Sequence, residues 1–281
     1  MSPVTLERIA AHCDELLQVA TTPDYPPALN GIQVAHRGPV TKIGAAVDAS
    51  QRTIEMARSA GANLLLVHHG LFWGGLTPVT GPMYQRLQTL LAHDIAVYSA
   101  HLPLDAHPTL GNSALLAQTL GLESTGGFAK YQSIHCGVQG TADLDTMALI
   151  GRTATWAATL GHHVVHSVLP TKHRTRRWAI CSGAGAQVST LQEAYAAGID
   201  TLIVGEGPHW SAVEAVERGL VIIYAGHYAT ETFGVQALAA HLSTTSASPG
   251  PSCTTRRGCD AAGGARAHGH HARVRRAPRP R

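Results

Sequence analysis

No apolar run in this 281-residue chain approaches the roughly 20 residues that a membrane-crossing helix requires. The N-terminus, MSPVTLERIAAHCDELL, carries acidic groups early and has no signal-like apolar core, so a cytoplasmic protein with no membrane partner is expected. Cysteine is sparse and unpatterned. Cys13, Cys136, Cys181, Cys253 and Cys259 are odd in number and contain no C-x-x-C spacing, which argues for reduced thiols and against a disulfide framework or a zinc ribbon. There is no G-x-S-x-G elbow, and nothing else suggests a covalent nucleophile. The glycines of CSGAGAQ, Cys181 to Gln187, lie between a strand and a helix, where N–H groups can meet an anion. Lacking both the Lys-Ser/Thr of a P-loop and the third glycine of a dinucleotide fingerprint, they read as a tight turn.

Basic excess is also missing from most of the chain, although the formal net charge is +3. Eight of the arginines and only one acidic residue fall from Thr244 onward, which leaves 13 basic against 17 acidic residues before it. A net charge of −4 in that body disfavours nucleic acid as its partner. The remaining 244–281 segment is rich in Arg, Pro, Gly and Ala and reads as a disordered basic tail from about Leu242, because it has too few large apolar residues to order itself. Its HGHH run can take up stray metal in solution.

What is present alternates strands and amphipathic helices. Leu6, Ile9, Ala10, Cys13, Leu16 and Leu17 share one face of an opening helix, with Thr5 as its cap. After a turn-rich break, TTPDYPPALNG, strands are expected at Gly31 to Val34 and Thr41 to Val47. A helix capped by Ser50 and stopped at Gly61 follows, then a strand at Asn63 to Val67, a helix over Pro82 to Ala92, a strand at Ile95 to Ser99, and a helix from Asn112 to Leu120. The second half repeats the order, with strands near Ser133 to Val138, His163 to Val168, Trp178 to Cys181, Thr201 to Val204 and Leu220 to Tyr224, and a helix ending at Gly161. Local sequence repeats as well: EMARSAGANLLLVHHG lies over QEAYAAGIDTLIVGEG, and IAVYSAHLPLD over LVIIYAGHYATE. The reading is an α/β chain of two lobes related by duplication, 1–125 and 126–243, each helix-strand followed by three strand-helix units with a mixed sheet.

In that superposition His101-x-x-x-Asp105 matches His227-x-x-x-Glu231, and His68-His69 matches Gly205-Glu206. All fall just past the carboxyl ends of strands, where open α/β sheets place their ligand crevices. Each residue alone has a structural explanation: Glu231 as a charge in a first helical turn, Asp105 as a cap of the helix to Leu120, His101 as a buried imidazole. Together, imidazole and carboxylate without thiolate suit Zn, Fe, Mn or Ni. His227 and Glu231, four apart at the start of the last helix, can converge on one centre. Adjacent strand residues point opposite ways, so His68 and His69 are expected to serve different ions. His68, His69, Asp105, His227 and Glu231 are too few for two closed sites but enough for a bridged pair of divalent ions with open positions.

The motifs NGIQV, VHHGLFW, SAHLPLDAHPTLGN, AGIDTLIVGE and AGHYATETFGVQAL resemble those of the Nif-three-like dinuclear metal centre hexameric proteins, also known as GTP cyclohydrolase I type 2 homologues. The resemblance covers about Ala10 to Leu242. It implies two intertwined α/β lobes, a homohexamer around an inner cavity, and dinuclear ligands at His68, His69, Asp105, His227 and Glu231, the last bridging. His101 would then lie behind the ligands or transfer protons, and its symmetry with His227 leaves it a possible ligand. The short connection after Gly121 implies no inserted domain. One departure is GEGPHWSAVE, which keeps His209 but alters its surroundings. These features point to a metal-dependent hydrolase of a small, nucleotide-like or cyclic amide or phosphoester substrate, with His101 and Glu206 as the catalytic proton carriers. The alternative is a non-enzymatic protein for metal storage, delivery or regulation.

Overall fold

Helix caps and apolar spacing set the first elements. The structure, a computed structural model, describes residues 4–244 and 253–254. Leu6, Ile9, Ala10 and Cys13 bury one face of α1 (Leu6–Leu16), and Thr5 Oγ1 accepts the Arg8 N–H at its start. Then come β1 (Gly31–Val34), β2 (Ile43–Asp48), α2 (Gln51–Ser59), β3 (Leu64–His69), α3 (Gly81–Ala92), β4 (Ala96–Ser99), α4 (Leu102–Asp105) and α5 (Asn112–Thr119). Ser50 and Thr53 close a capping box on α2. The second half runs β5 (Ser124–Tyr131), β6 (Ile134–Asp145), α6 (Thr146–Thr159), β7 (Val165–His166), β8 (Arg174–Cys181), α7 (Val188–Ala196), β9 (Thr201–Val204), α8 (His209–Glu217), β10 (Val221–Tyr224), α9 (His227–Thr230) and α10 (Thr232–Thr244), with β11 at Cys253–Thr254.

Two mixed sheets result, in orders β1-β4-β3-β2-β11 and β5-β6-β8-β9-β10-β7. In the first, β2, β3 and β4 are parallel and β1 runs antiparallel to β4; in the second, β8, β9 and β10 are parallel and β7 runs antiparallel to β10. Four strands of each sheet, β1-β4-β3-β2 and β7-β10-β9-β8, therefore share order and sense, and the sheets differ beyond them, where β11 runs parallel to β2 and β6 antiparallel to β8. Residues 64–67 of β3 and all of β9 are buried, the near-continuous apolar runs that a sheet covered on both faces requires.

The last helix of each half packs on the sheet of the other. Leu116, Ala117 and Leu120 of the α5 region join Trp178, Ile180, Ile203 and Ile223 in one core. Val235, Leu238, Ala239 and Leu242 of α10 join Ile9, Ile43, Leu64, Leu66 and Tyr98 in another. This exchange intertwines the halves, and truncating a buried leucine such as Leu238 to Ala would cost about 2–5 kcal/mol.

Several elements differ from expectation. The strand expected near Ser133 to Val138 is the start of β6, which runs on to Asp145, but β5 before it was not expected, because STGGFAKY buries only Phe128 and Ala129 and so carries almost no apolar period. The strand expected over His163 to Val168 shrinks to the exposed pair Val165–His166 on the sheet edge. His227 opens its own short helix, α9, and Glu231 caps it before α10 begins. Of the tail, Cys253–Thr254 pair in parallel with β2; the expectation for its other residues from 245 on lies outside the described residues. Among the described residues no helix is long and apolar enough to cross a membrane.

Candidate metal centre

The helix exchange builds the site. β3 ends on His68 and His69, and His101 and Asp105 bound the turn of α4 that follows β4. Because α10 lies on the first sheet, the turn before it carries His227 and Glu231 over the end of β3. Glu231 is only 3% exposed and its two oxygens face different imidazoles. Oε1 stands 3.6 Å from His68 Nε2, while Oε2 stands 3.3 Å from His69 Nε2 and 3.1 Å from His227 Nε2. Asp105 Oδ2 is 3.5 Å from His68 Nε2 alone. The strand alternation expected to separate His68 from His69 shows as a difference in target: both rings reach Glu231, but at different oxygens.

Every ring is held from behind. His68 Nδ1 donates to the Ala100 carbonyl (2.9 Å), His69 Nδ1 to Asp48 Oδ1 (2.9 Å), His101 Nδ1 to Asp24 Oδ1 (2.8 Å) and His227 Nδ1 to Glu206 Oε1 (2.9 Å). A carbonyl or carboxylate oxygen can only accept, so each Nδ1 bears hydrogen, and each ring in its neutral form presents an Nε2 lone pair to the centre. His68, His69 and His101 bring ring nitrogens within 4.8 Å of one another, and two ring nitrogens of His69 and His227 with a carboxylate oxygen of Glu231 come equally close.

Lone pairs facing carboxylates need a cation between them. His68 Nε2 and Glu231 Oε2 are buried with no hydrogen-bond partner. The nitrogen-to-oxygen separations of 3.1 to 3.6 Å are those of ligands sharing an ion at about 2.0–2.2 Å. The donor set therefore fits a metal ion. Without one, protons fill the gap. Burial alone would lower the His68 pKa, but Asp105 and Glu231 outweigh it and raise it well above the ordinary value. Burial likewise opposes, and Glu231 and Glu206 overcome the opposition, in lifting His227 to about 9. Glu231, which burial would raise, is driven far below the carboxylate range by His68, His227 and His69.

The centre opens on a cavity of about 540 Å³. His69, His101, Asp105, His227 and Glu231 lie on one side, and Tyr25, Trp73 and Tyr131 supply aromatic wall. Trp73, whose place the sequence left open, meets His101 edge-to-face at 4.7 Å. CSGAGAQ is a tight turn with a specific reason for its glycine: Gly183 has φ +63°, and a Cβ there would overlap Glu231 Oε1. Cys136 and Cys181 also line the cavity as thiols, since burial pushes Cys136 up to about 12 and Cys181 well above the usual range. His101 is indeed buried and hydrogen-bonded, yet it keeps Nε2 toward the cavity. Asp105 does not cap the helix to Leu120; Gly111 holds that position, and Asp105 Oδ1 accepts from Asn112 Nδ2. Glu206 is largely exposed and reaches the centre only through His227, and exposed His209 opens α8 away from the cavity wall.

Sequence reasoning missed Asp24 and Asp48. Asp24 accepts from His101 Nδ1, Asn30 Nδ2 and the Tyr25 and Leu102 N–H groups, and so fastens the loop after α1 to the start of α4. Its signal was a lone carboxylate in a turn, seven residues before Gly31 of NGIQV, with no periodicity to mark it.

A family profile, Duf34/NIF3 (NGG1p interacting factor 3), matches residues 4–252. The chain belongs to the Duf34/NIF3 family. Among curated relatives, a GTP cyclohydrolase 1 type 2 homolog of Deinococcus radiodurans is 41% identical over 231 residues, covering 81% of this chain and 84% of the relative. One from Treponema pallidum is 40% identical over 247 residues, covering 76% and 86%. Among solved structures, protein ybgI, of unknown function, superposes with a TM-score of 0.79 at 34% identity over 89% of this chain and 98% of its own. HcgD of Methanocaldococcus jannaschii, at 24% identity and a TM-score of 0.76, shares the fold over 90% of this chain and 98% of its own.

Proposed function

We propose that this Duf34/NIF3 protein is a metal-dependent hydrolase whose centre takes two divalent ions, Zn, Fe, Mn or Ni. One observation carries the reading: a buried carboxylate, Glu231, turns one oxygen to His68 and the other to His69 and His227 at the wall of an open cavity. His68 and Asp105 would hold one ion with Oε1, and His69 and His227 the other with Oε2. Bound there, divalent ions would supply Lewis acidity and a lowered pKa for water. The chain does the rest. Asp24 keeps the His101 Nε2 lone pair toward the cavity, where it can accept a proton from an attacking water and return it to a leaving group. Glu206, exposed and bonded to His227 Nδ1, would hold the Nε2 of that ring toward the centre. Trp73, Tyr25 and Tyr131 limit the substrate to a small molecule. The names of the curated relatives direct the first trials to nucleotides, cyclic amides and phosphoesters. Family resemblance adds assembly into a homohexamer.

The test is metal content by elemental mass spectrometry, followed by turnover of such a panel by the loaded chain and by Asp105→Ala and His101→Ala. Two ions per chain, with turnover lost in both variants, is the expected result. Metal bound without turnover of any compound would overturn the hydrolase and favour storage or delivery.

A further inference from the structure

Away from the centre, His12 of α1 meets His241 of α10. Their Nε2 atoms are 3.1 Å apart, and the rings lie nearly end to end, with centroids 5.3 Å apart and planes 5° from parallel. Both side chains are half-buried, and each is followed by a fully buried residue, Cys13 and Leu242, of the same core. The backbones are thus anchored, and only side-chain torsions remain to be ordered by a ligand.

The spacing has a chemical meaning. Two nitrogens bound to one ion at about 2.0–2.1 Å stand roughly 2.9–3.4 Å apart for ligand angles between square and tetrahedral. The observed separation lies inside that range. Without metal, one Nε2 must carry a hydrogen for the other to accept. Neither Nδ1 has a hydrogen-bond partner among the described residues, so that hydrogen can reside on Nδ1 instead, leaving two converging lone pairs. His107 does not join through Nδ1, which accepts the Thr109 and Leu110 N–H groups. The pair is independent of the Glu231 centre in every residue.

We infer that His12 and His241 form a separate mononuclear site for a late first-row divalent cation, copper, nickel or zinc, that ties the first helix to the last. Neutral imidazoles without a carboxylate favour these ions over magnesium or calcium, and copper binds most tightly of the three. Water would fill the other positions, so the ion exchanges readily.

The experiment uses the full chain with His268, His270 and His271 of the tail changed to Ala, which removes the competing HGHH run. Cu²⁺ is titrated into this protein and into the same protein carrying His12→Asn or His241→Asn, with electron paramagnetic resonance to count nitrogen ligands. Either substitution should weaken the same single equivalent at least about tenfold and remove a copper-induced rise in thermal midpoint. Circular dichroism of the metal-free variants separates site loss from unfolding; if one variant unfolds, the other single variant decides. Equal copper stoichiometry and affinity in the folded variants would overturn the site, as would a copper signal that vanishes with Glu231→Ala but survives His12→Asn.

Discussion

The ends of the two parallel strand sets occupy equivalent places in the fold and carry different chemistry. β3 ends on His68 and His69, whereas the aligned positions of the second half, just past β9, are Gly205 and Glu206. The difference is steric before it is chemical. A Cβ at Gly205 would press on the Gly183 carbonyl, Thr230 Oγ1 and the His227 backbone, so no imidazole fits there. The second half instead contributes through the next turn, where Glu231 is one methylene longer than its counterpart Asp105. That length lets Glu231 reach three imidazoles, whereas Asp105 reaches His68 only. The first half thus brings His68, His69 and Asp105 to the cluster, and the second half brings His227 and the longer carboxylate of Glu231.

Removing each carboxylate breaks the comparison most severely. Glu231→Ala should empty the whole centre, and Asp105→Ala should leave the His69 and His227 side occupied, with about half the metal per chain retained by elemental analysis. Equal loss from both would show that the two oxygens of Glu231 do not act separately. Next in size is Gly183→Ala. Its Cβ meets Glu231 and its positive φ is strained, which together should cost about 2–4 kcal/mol in urea unfolding. Gly151→Ala, on the open face of α6 with nothing near its Cβ, should instead stabilise by about 0.5–1 kcal/mol.

The supports behind the rings should matter less, and unequally. Asp48→Asn should weaken metal binding by about 10–100-fold, and Glu206→Gln by less, because its carboxylate is the more solvent-exposed of the two (60% against 32%). The smallest effect is on the pH dependence of the metal-free chain. His227 is raised from 6.5 to about 9 by folding, so the stability it contributes is complete below pH 6.5 and fades as the pH rises toward 9. Glu231 is lowered, so its contribution is present above its unfolded value of 4.5 and is lost in stronger acid. The thermal midpoint without metal should therefore fall from pH 6.5 to 9, and metal loading, which displaces those protons, should abolish the fall.

Much of this was legible from local pattern. The strand Thr201–Val204, the cap at Ser50 and the helix ending before Gly121 follow from apolar runs and turn residues that act within a few positions. The β5–β6 hairpin did not follow, because a solvated, glycine-bearing edge has no apolar face to betray it. By itself the sequence determined the alternation of strands and helices and the residue types set past their ends, since both depend on neighbours in the chain. Only the tertiary structure decided which nitrogen of each histidine faces the centre and which oxygen of Glu231 faces which ring. His101 owes its orientation to Asp24, 77 residues earlier, and Glu231 owes its place over β3 to the packing of α10 on the other half's sheet. Contacts across such separations are made by burial in a shared core, and local periodicity holds no record of them.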